Sequence, residues 1–216
     1  MTFESRRAYL PAAGYAWALP LYDPIVKLLG GEAARRTLVE QAAVRAGQRV
    51  LDFGCGTGGL TLLIKRLHPD VHVVGLDPDP HALGRARRKA ARAQAEIQLD
   101  QGFGDALPYP DASFDRVLSA FVLHHVPAAE KEPTLREVRR VLKPVGTLHL
   151  LDFGGPDPEA GGFLTRWIHA SHHVRDNFGD RIPALMRRAG LADARMVSHG
   201  RLLLGRVAYF CASGGG

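Results

Sequence analysis

The chain has 216 residues, 46% of them apolar, with 28 Lys and Arg against 22 Asp and Glu for a net charge of +6. That length and composition fit one globular domain and exclude a disordered chain, and the lack of any apolar run of about 18 residues excludes a spanning helix. Two cysteines, Cys55 and Cys211, provide neither a disulfide framework nor a metal-ligand spacing, so a reducing cytoplasm is the expected setting.

At the start of the chain, Glu4 precedes any apolar run, and Pro11 and Pro20 break the segment after it, which is not the plan of a signal peptide. Tyr9 to Leu29 (YLPAAGYAWALPLYDPIVKLL) is rich in aromatic residues and proline. Three readings stay open for it. It is a lid with Tyr15, Trp17 and Tyr22 facing a pocket, an arm packed on the core, or a segment in peripheral contact with a membrane, where Trp and Tyr favour the interface. Tyr22–Leu29 and Glu32–Arg45 read as helices.

Arg49–Phe53 is the first predicted strand, and it opens the most informative stretch, VLDFGCGTGGLT from Val50 to Thr61. The strand tip carries Asp52. Gly54, Gly56, Gly58 and Gly59 come next, and a helix pattern then runs over Gly58–Leu67. Alternate glycines let the backbone turn sharply and approach a ligand closely. The helix start points its open N–H groups at that ligand, which favours a carboxylate or phosphate. Gly54, Gly56 and Gly59 fit the dinucleotide fingerprint G-x-G-x-x-G, a weak signal alone. Asp52, Gly54, Gly56 and Gly58 also fit D-x-G-x-G-x-G. A carboxylate beside the loop would repel a pyrophosphate but suits a ligand that brings an ammonium with its carboxylate.

Val71–Asp77 is the second strand, ending in Asp77-Pro78, and Pro80–Ala95 is the next helix. A carboxylate roughly 20 residues past the glycines can accept hydrogen bonds from ribose hydroxyls. Arg85, Arg87, Arg88, Lys89 and Arg92 crowd this helix, and Arg139, Arg140 and Lys143 end another. They form either a nucleic-acid or anionic-membrane surface or a solvated helix face; the absence of interleaved aromatic residues favours the solvated face over single-strand nucleic-acid binding. Ile97–Gln101 is the third strand and Phe114–Phe121 the fourth. A helix is expected from Pro133, in a first-turn position, to Leu142, and then a fifth strand over Thr147–Phe153. Gly154–Gly162 is a loop, Phe163–Ala189 is helical, and Ala194–His199 with Arg201–Cys211 forms a hairpin turning at Gly200. This alternation predicts an α/β, Rossmann-like sheet of seven strands, mostly parallel, with helices on both faces and the last strand antiparallel.

Taken together, the Asp52 glycine loop, Asp77, the segment GFGDALPYPDASFDRVLSAFVLHHVP (Gly102–Pro127) and LREVRRVLKPVGTLHLLDF (Leu135–Phe153) resemble the class I S-adenosylmethionine-dependent methyltransferases over about residues 35–155. Quinone and phospholipid methyltransferases and small-molecule O-methyltransferases are the nearest likeness. The turn Lys143-Pro144-Val145-Gly146 departs from the family's K-P-G-G at Val145. The resemblance implies a single methyltransferase domain: an N-terminal lid or arm over residues 1–31, a cofactor-binding core over 32–153, and acceptor-side helices with a closing hairpin over 154–216. It implies that S-adenosyl-L-methionine binds through Asp52, Gly54, Gly56, Gly58, Asp77, Pro78, Asp105, Ala106 and Phe121.

In an open parallel sheet, ligands bind beyond the carboxyl ends of the strands. His124 and His125 lie just past the fourth strand and Asp152 ends the fifth, so these three converge on the acceptor side. Similar pairs in small-molecule O-methyltransferases make them candidates for deprotonating a hydroxyl, a role that suits histidine. Purely packing or positioning roles are the alternative. His169, His172 and His173 share one helix face. Without a completing ligand beyond Asp176 they point away from a metal and toward an acceptor-pocket wall or plain surface.

The expected function is methyl transfer to a small, fairly apolar acceptor: a phenol, quinone precursor, natural product or lipid amine. The fourth strand ends in SAFVLHHVP and lacks the N-P-P-Y type signature of base-amino methylation, which argues against a nucleic-acid methyltransferase. A non-catalytic partner subunit of the same fold would tend to lose the glycine loop or the ribose carboxylate, and both are kept. An NAD-dependent oxidoreductase would need a catalytic segment for hydride transfer after the nucleotide half, and the sequence has none there. The sequence leaves the oligomeric state, the acceptor and the attacking atom unassigned.

Overall fold

The computed structural model describes residues 30–154, 181–202 and 205–215. The predicted lid, the helix Tyr22–Leu29, the His169–His173 cluster and the loop after Gly154 lie outside the described residues. The elements run α1 (Gly31–Gln41), β1 (Arg49–Phe53), α2 (Gly59–Leu67), β2 (His72–Asp77), α3 (Pro80–Arg92), β3 (Gln98–Gln101), β4 (Phe114–Ala120), a 3₁₀ turn (Leu123–His125), α4 (Ala128–Val141), β5 (Leu142–Phe153), α5 (Arg181–Arg188), β6 (Ala192–Leu202) and β7 (Gly205–Ser213).

The strands form one seven-stranded sheet in the order β3-β2-β1-β4-β5-β7-β6. β1 pairs in parallel with β2 and β4, β2 with β3, and β4 with β5. β7 runs antiparallel to both β5 and β6. Successive side chains of a strand point to opposite faces, and the core divides accordingly. Leu51, Val74 and Val117 join one cluster with Leu135 and Val138 of α4 and Ile182 and Met186 of α5. Val50, Val73 and Leu118 join the other with Leu38 of α1 and Leu60, Leu63 and Ile64 of α2. Strands buried on both faces read as continuous apolar runs, which is why β1, β2 and β4 were visible in the sequence.

Three boundaries differ from expectation. α4 begins at Ala128, so Pro133 sits inside the helix rather than in its first turn. The Pro127 carbonyl accepts the N–H groups of Glu130 and Lys131 and starts the helix there. Pro133 has no N–H to give the Ala129 carbonyl one turn earlier, and Ala129 is an exposed residue, where water can replace that donor. β5 begins at Leu142 and carries the Lys143–Gly146 stretch within it, with a register shift against β4 between Phe114 and Arg116. Lys143 Nζ donates to both carboxylate oxygens of Asp115 at 2.9 Å, anchoring this irregular entry. The hairpin does not turn at Gly200. β6 continues through it to Leu202, which pairs with Gly205, and a Cβ at Gly200 would lie 3.3 Å from Val207 Cγ2. That glycine makes room for its cross-strand neighbour.

The sheet order places the ends of β1 and β4 side by side, where the connections diverge to opposite faces. That is the position at which open α/β sheets bind ligands. Arg140 of α4 fixes one wall of the crevice. It donates to the Leu107 and Tyr109 carbonyls at 3.0 and 2.8 Å, while Glu137 accepts the Leu107 N–H at 2.9 Å. The segment after Asp105 is thereby pinned to the helix. Among the described residues, no helix is long and apolar enough to cross a membrane.

Candidate active site

A cavity opens at the carboxyl ends of β1, β2 and β4. Asp52, Gly54, Gly56, Asp77, Pro78, Asp105, Phe121 and His125 line it, with Phe53, Cys55, Thr57, Leu76, Asp79, Val122, Val126, Pro127, Glu130 and Thr134. Gly58, Ala106, His124 and Asp152 are absent from its wall.

The glycine loop is held by the backbone. The Leu76 carbonyl accepts the N–H groups of Gly54 and Cys55 at 2.8 and 2.9 Å, so the loop folds toward the end of β2. Gly54 has φ of +73° and a Cβ there would meet Val122 at 2.5 Å, so both conformation and space demand glycine. Gly58 caps α2, and a Cβ on it would lie 2.9 Å from Ala86 of α3. This explains its absence from the cavity wall: it packs two helices together.

Asp77 places one oxygen on the Gly56 N–H (2.8 Å) and the other on the Asp79 N–H (2.9 Å). Asp79 in turn caps α3 through the His81 N–H. Each carboxylate oxygen of Asp77 keeps further lone-pair capacity toward the cavity. Burial raises the Asp77 carboxyl above its ordinary range, against the pull of the two N–H donors. Asp52 is 1% exposed and accepts the Thr61 hydroxyl at 2.6 Å. Its carboxyl is pushed up to about 6, chiefly by burial, with the Thr61 bond and the Arg35 charge opposing. Burial likewise raises the Cys55 thiol, with the Asp52 and Asp77 charges adding to it, which suits packing rather than nucleophilic chemistry.

On the other side of the cavity, Phe121 holds φ of +61°, an unusual conformation for a bulky residue. Its N–H donates to the Leu151 carbonyl at 2.8 Å, and its ring lies 5.5 Å from that of Phe153. This sharp exit from β4 starts the Leu123–His125 turn. In a 3₁₀ turn consecutive side chains point about 120° apart, and the two histidines separate: His125 faces the cavity while His124 turns inward. His124 Nδ1 sits 2.8 Å from Asp152 Oδ1, and its backbone N–H donates to Oδ2 at 3.1 Å. Although burial works to raise the Asp152 carboxyl, His124 and the N–H donors around it hold it below the usual range. An ionised carboxylate only accepts, so Nδ1 of His124 carries a hydrogen. The imidazoles of His124 and His125 lie 4.0 Å apart, centroid to centroid.

Thr57, Asp79, Glu130, Thr134 and Arg35 also border the cavity and were not singled out in the sequence. Thr57 sits inside the glycine loop and accepts from Lys89 at 3.2 Å, so loop membership was a usable signal. Glu130 and Thr134 are four apart on one helix, a pattern shared by many solvated faces. No group of three or more His, Cys, Asp or Glu residues that could hold a metal ion occurs among the described residues.

The donor set fits S-adenosylmethionine. Five carboxylates, Asp52, Asp77, Asp79, Asp105 and Glu130, border the cavity, a wall that suits hydroxyl and ammonium donors and repels a pyrophosphate.

Comparison with known proteins agrees. A family model described as a methyltransferase domain matches residues 50–146. The demethylmenaquinone methyltransferase of Thermus thermophilus is 40% identical over 150 residues, 68% of this chain and 67% of that protein. The ubiquinone/menaquinone biosynthesis C-methyltransferase of Pseudomonas fluorescens is 38% identical over 159 residues, 71% of this chain and 61% of that protein. Among solved structures, phosphoethanolamine N-methyltransferase 2 of Haemonchus contortus in complex with S-adenosyl-L-methionine matches with a TM-score of 0.75 at 15% identity, covering 95% of this chain and 58% of that one; likeness at that identity speaks for the fold alone. With the glycine loop at the switch point of a seven-stranded sheet and relatives of this similarity, the chain belongs to the class I S-adenosylmethionine-dependent methyltransferases.

Proposed function

We propose that this methyltransferase acts on a hydroxylated aromatic ring of the quinone-precursor class and places the methyl group on a ring carbon next to the hydroxyl. The observation that carries the reading is the composition of the acceptor wall: one imidazole, His125, set among the apolar side chains of Phe121, Val122, Val126 and Pro127, with Glu130 and Thr134 of α4 following them. The Thermus and Pseudomonas relatives, both named as quinone methyltransferases, support the same class.

S-adenosylmethionine, when bound, supplies a methyl group already activated by the positive sulfur. In that cavity Asp77 would accept from the ribose hydroxyls, Asp52 would face the ammonium, and Asp105 with Phe121 would border the adenine. The remaining tasks are alignment, exclusion of water and handling of one proton. His125 accepts the proton of the ring hydroxyl at its imidazole. The oxygen's electron density then reaches the neighbouring ring carbon and makes it nucleophilic; once that carbon carries the methyl group its own hydrogen leaves as a proton to water, the ring regains aromaticity, and His125 returns its proton to the oxygen, so that one proton is released overall. Positive charge on His125 would normally be unfavourable beside another imidazole. Here His124 turns its Nδ1–H toward Asp152, and the negative charge of that buried carboxylate offsets the developing charge across the tilted imidazole pair. Asp152 and His124 are thus positioning residues, and His125 is the catalytic one.

The test is product mass after incubation with S-adenosylmethionine and three acceptors: a short-chain prenyl hydroquinone, a simple phenol and phosphoethanolamine. The reading expects one added methyl on the hydroquinone at the highest rate. Preferred methylation of phosphoethanolamine would overturn it.

A further inference from the structure

Arg35 belongs to α1, ahead of the glycine loop, and in the sequence it is one basic residue among many. In the fold its side chain reaches over the first turn of α2. Its Nη1 lies 2.9 Å from where a Cβ on Gly59 would stand. Gly59 is not among the glycines with positive φ, so its backbone does not require glycine. The double glycine therefore serves two neighbours: Gly58 admits Ala86, and Gly59 admits the Arg35 guanidinium.

Among the described residues, Arg35 Nε is the buried side-chain polar atom that has no hydrogen-bond partner. A buried donor left without an acceptor is unfavourable and calls for an explanation. The same side chain lines the cavity beside Asp52, Gly56 and Thr57. The α2 N-terminus below it has no side-chain cap hydrogen bond and no acidic residue in its first turn. A guanidinium and an uncapped helix start converge on one spot, and both favour an anion.

We propose that Arg35 binds the α-carboxylate of S-adenosylmethionine and, with Asp52 facing the ammonium, reads the amino-acid end of the cofactor as a zwitterion. The proposal rests on the reading that this cofactor fills the cavity, and it adds a residue outside the glycine motif. It also accounts for an acid and a base lining one small space: a ligand with an ammonium and a carboxylate on one carbon needs both. Arg35 stabilises the ionised form of Asp52, so the two residues prepare each other for such a ligand.

The test is calorimetric binding of the full chain to S-adenosylmethionine and to decarboxylated S-adenosylmethionine, which keeps the ammonium and lacks only the carboxylate. Wild type should prefer the complete cofactor by about 10- to 100-fold, the range of a charge-assisted hydrogen-bonded pair. Arg35→Ala should lose that preference, weakening S-adenosylmethionine while leaving the decarboxylated ligand within about threefold, within the scatter of single contacts. Should Arg35→Ala fail to fold, Gly59→Ala, which crowds the guanidinium, should show the same ligand-selective loss. Equal weakening of both ligands, no weakening of either, or a wild type that does not discriminate would overturn the assignment. A wild type that binds neither ligand would instead remove the cofactor reading beneath it.

Discussion

Asp52→Asn probes the electrostatics of the glycine loop, and its effects on stability and on binding should oppose each other. In the folded chain burial lifts the Asp52 carboxyl from 3.8 to about 6, even with Thr61 and Arg35 favouring the ionised form. Between about pH 4 and 6 the folded state therefore binds more protons at this site than the unfolded state, so stability falls as pH rises through that window. A difference of that size corresponds to about 3 kcal/mol, present in full at neutral pH and reduced to about 0.5 kcal/mol at pH 4. Asparagine stays neutral, and its amide oxygen can still accept from Thr61 Oγ1. Urea unfolding of the ligand-free protein should show Asp52→Asn more stable than wild type by up to about 3 kcal/mol at pH 7.5, with the two curves converging toward pH 4. Binding should move the other way: S-adenosylhomocysteine loses a charged partner for its ammonium and weakens by about tenfold or more. Stability curves that stay parallel across pH, or unchanged S-adenosylhomocysteine affinity, would refute this reasoning.

Three further outcomes are expected. His125→Ala should lose about 10²–10⁴-fold in turnover with near-normal S-adenosylhomocysteine affinity, the range of a general base; equal losses in His124→Ala and His125→Ala, read as turnover against pH, would show that the two do not hold separate roles. Gly56→Ala and Gly54→Ala share a left-handed backbone (φ of +51° and +73°) that costs each alanine about 1 kcal/mol, but a Cβ at Gly56 meets no atom within 4 Å and otherwise intrudes only on the cavity, whereas one at Gly54 also collides with Val122. Thermal melts with and without S-adenosylhomocysteine should therefore show the first folded and poorly ligand-stabilised, and the second destabilised outright by about 2 kcal/mol or more, a left-handed strain plus a clash. His149, buried on β5 beside Arg116 and Arg195, is pushed down to about 4, chiefly by burial; the folded state binds fewer protons there than the unfolded state between about pH 4 and 6.5, so it loses about 3 kcal/mol as pH falls through that window, and His149→Gln should flatten this limb of the acid-unfolding curve.

The sequence showed what local pattern determines. Apolar runs in β1, β2 and β4 and the Asp52 glycine loop are encoded within a few residues of one another, and so is Asp77 at the tip of β2. What it could not show depends on packing across long separations. Pro133 fits a first-turn position on local rules, yet the helix starts where the Pro127 carbonyl captures two N–H groups. Gly200 resembles a turn until Val207 and Tyr209 stand opposite it. His124 and His125 were both placed at the end of β4, but their opposite directions come from the turn that Phe121 begins. Arg35 was indistinguishable from the solvated arginines because only the fold lays it across Gly59.

Ring-carbon methylation of a quinone precursor in this cavity is the proposal from which the role of His125 follows. The most direct measurement is carbon-13 NMR of the product formed from a short-chain demethylmenaquinol and S-adenosylmethionine carrying a labelled methyl group. A methyl resonance in the aryl-methyl region, on the carbon next to a hydroxyl, is expected. A resonance in the methoxy region, or unlabelled ring product from a protein that still binds S-adenosylhomocysteine, would contradict it.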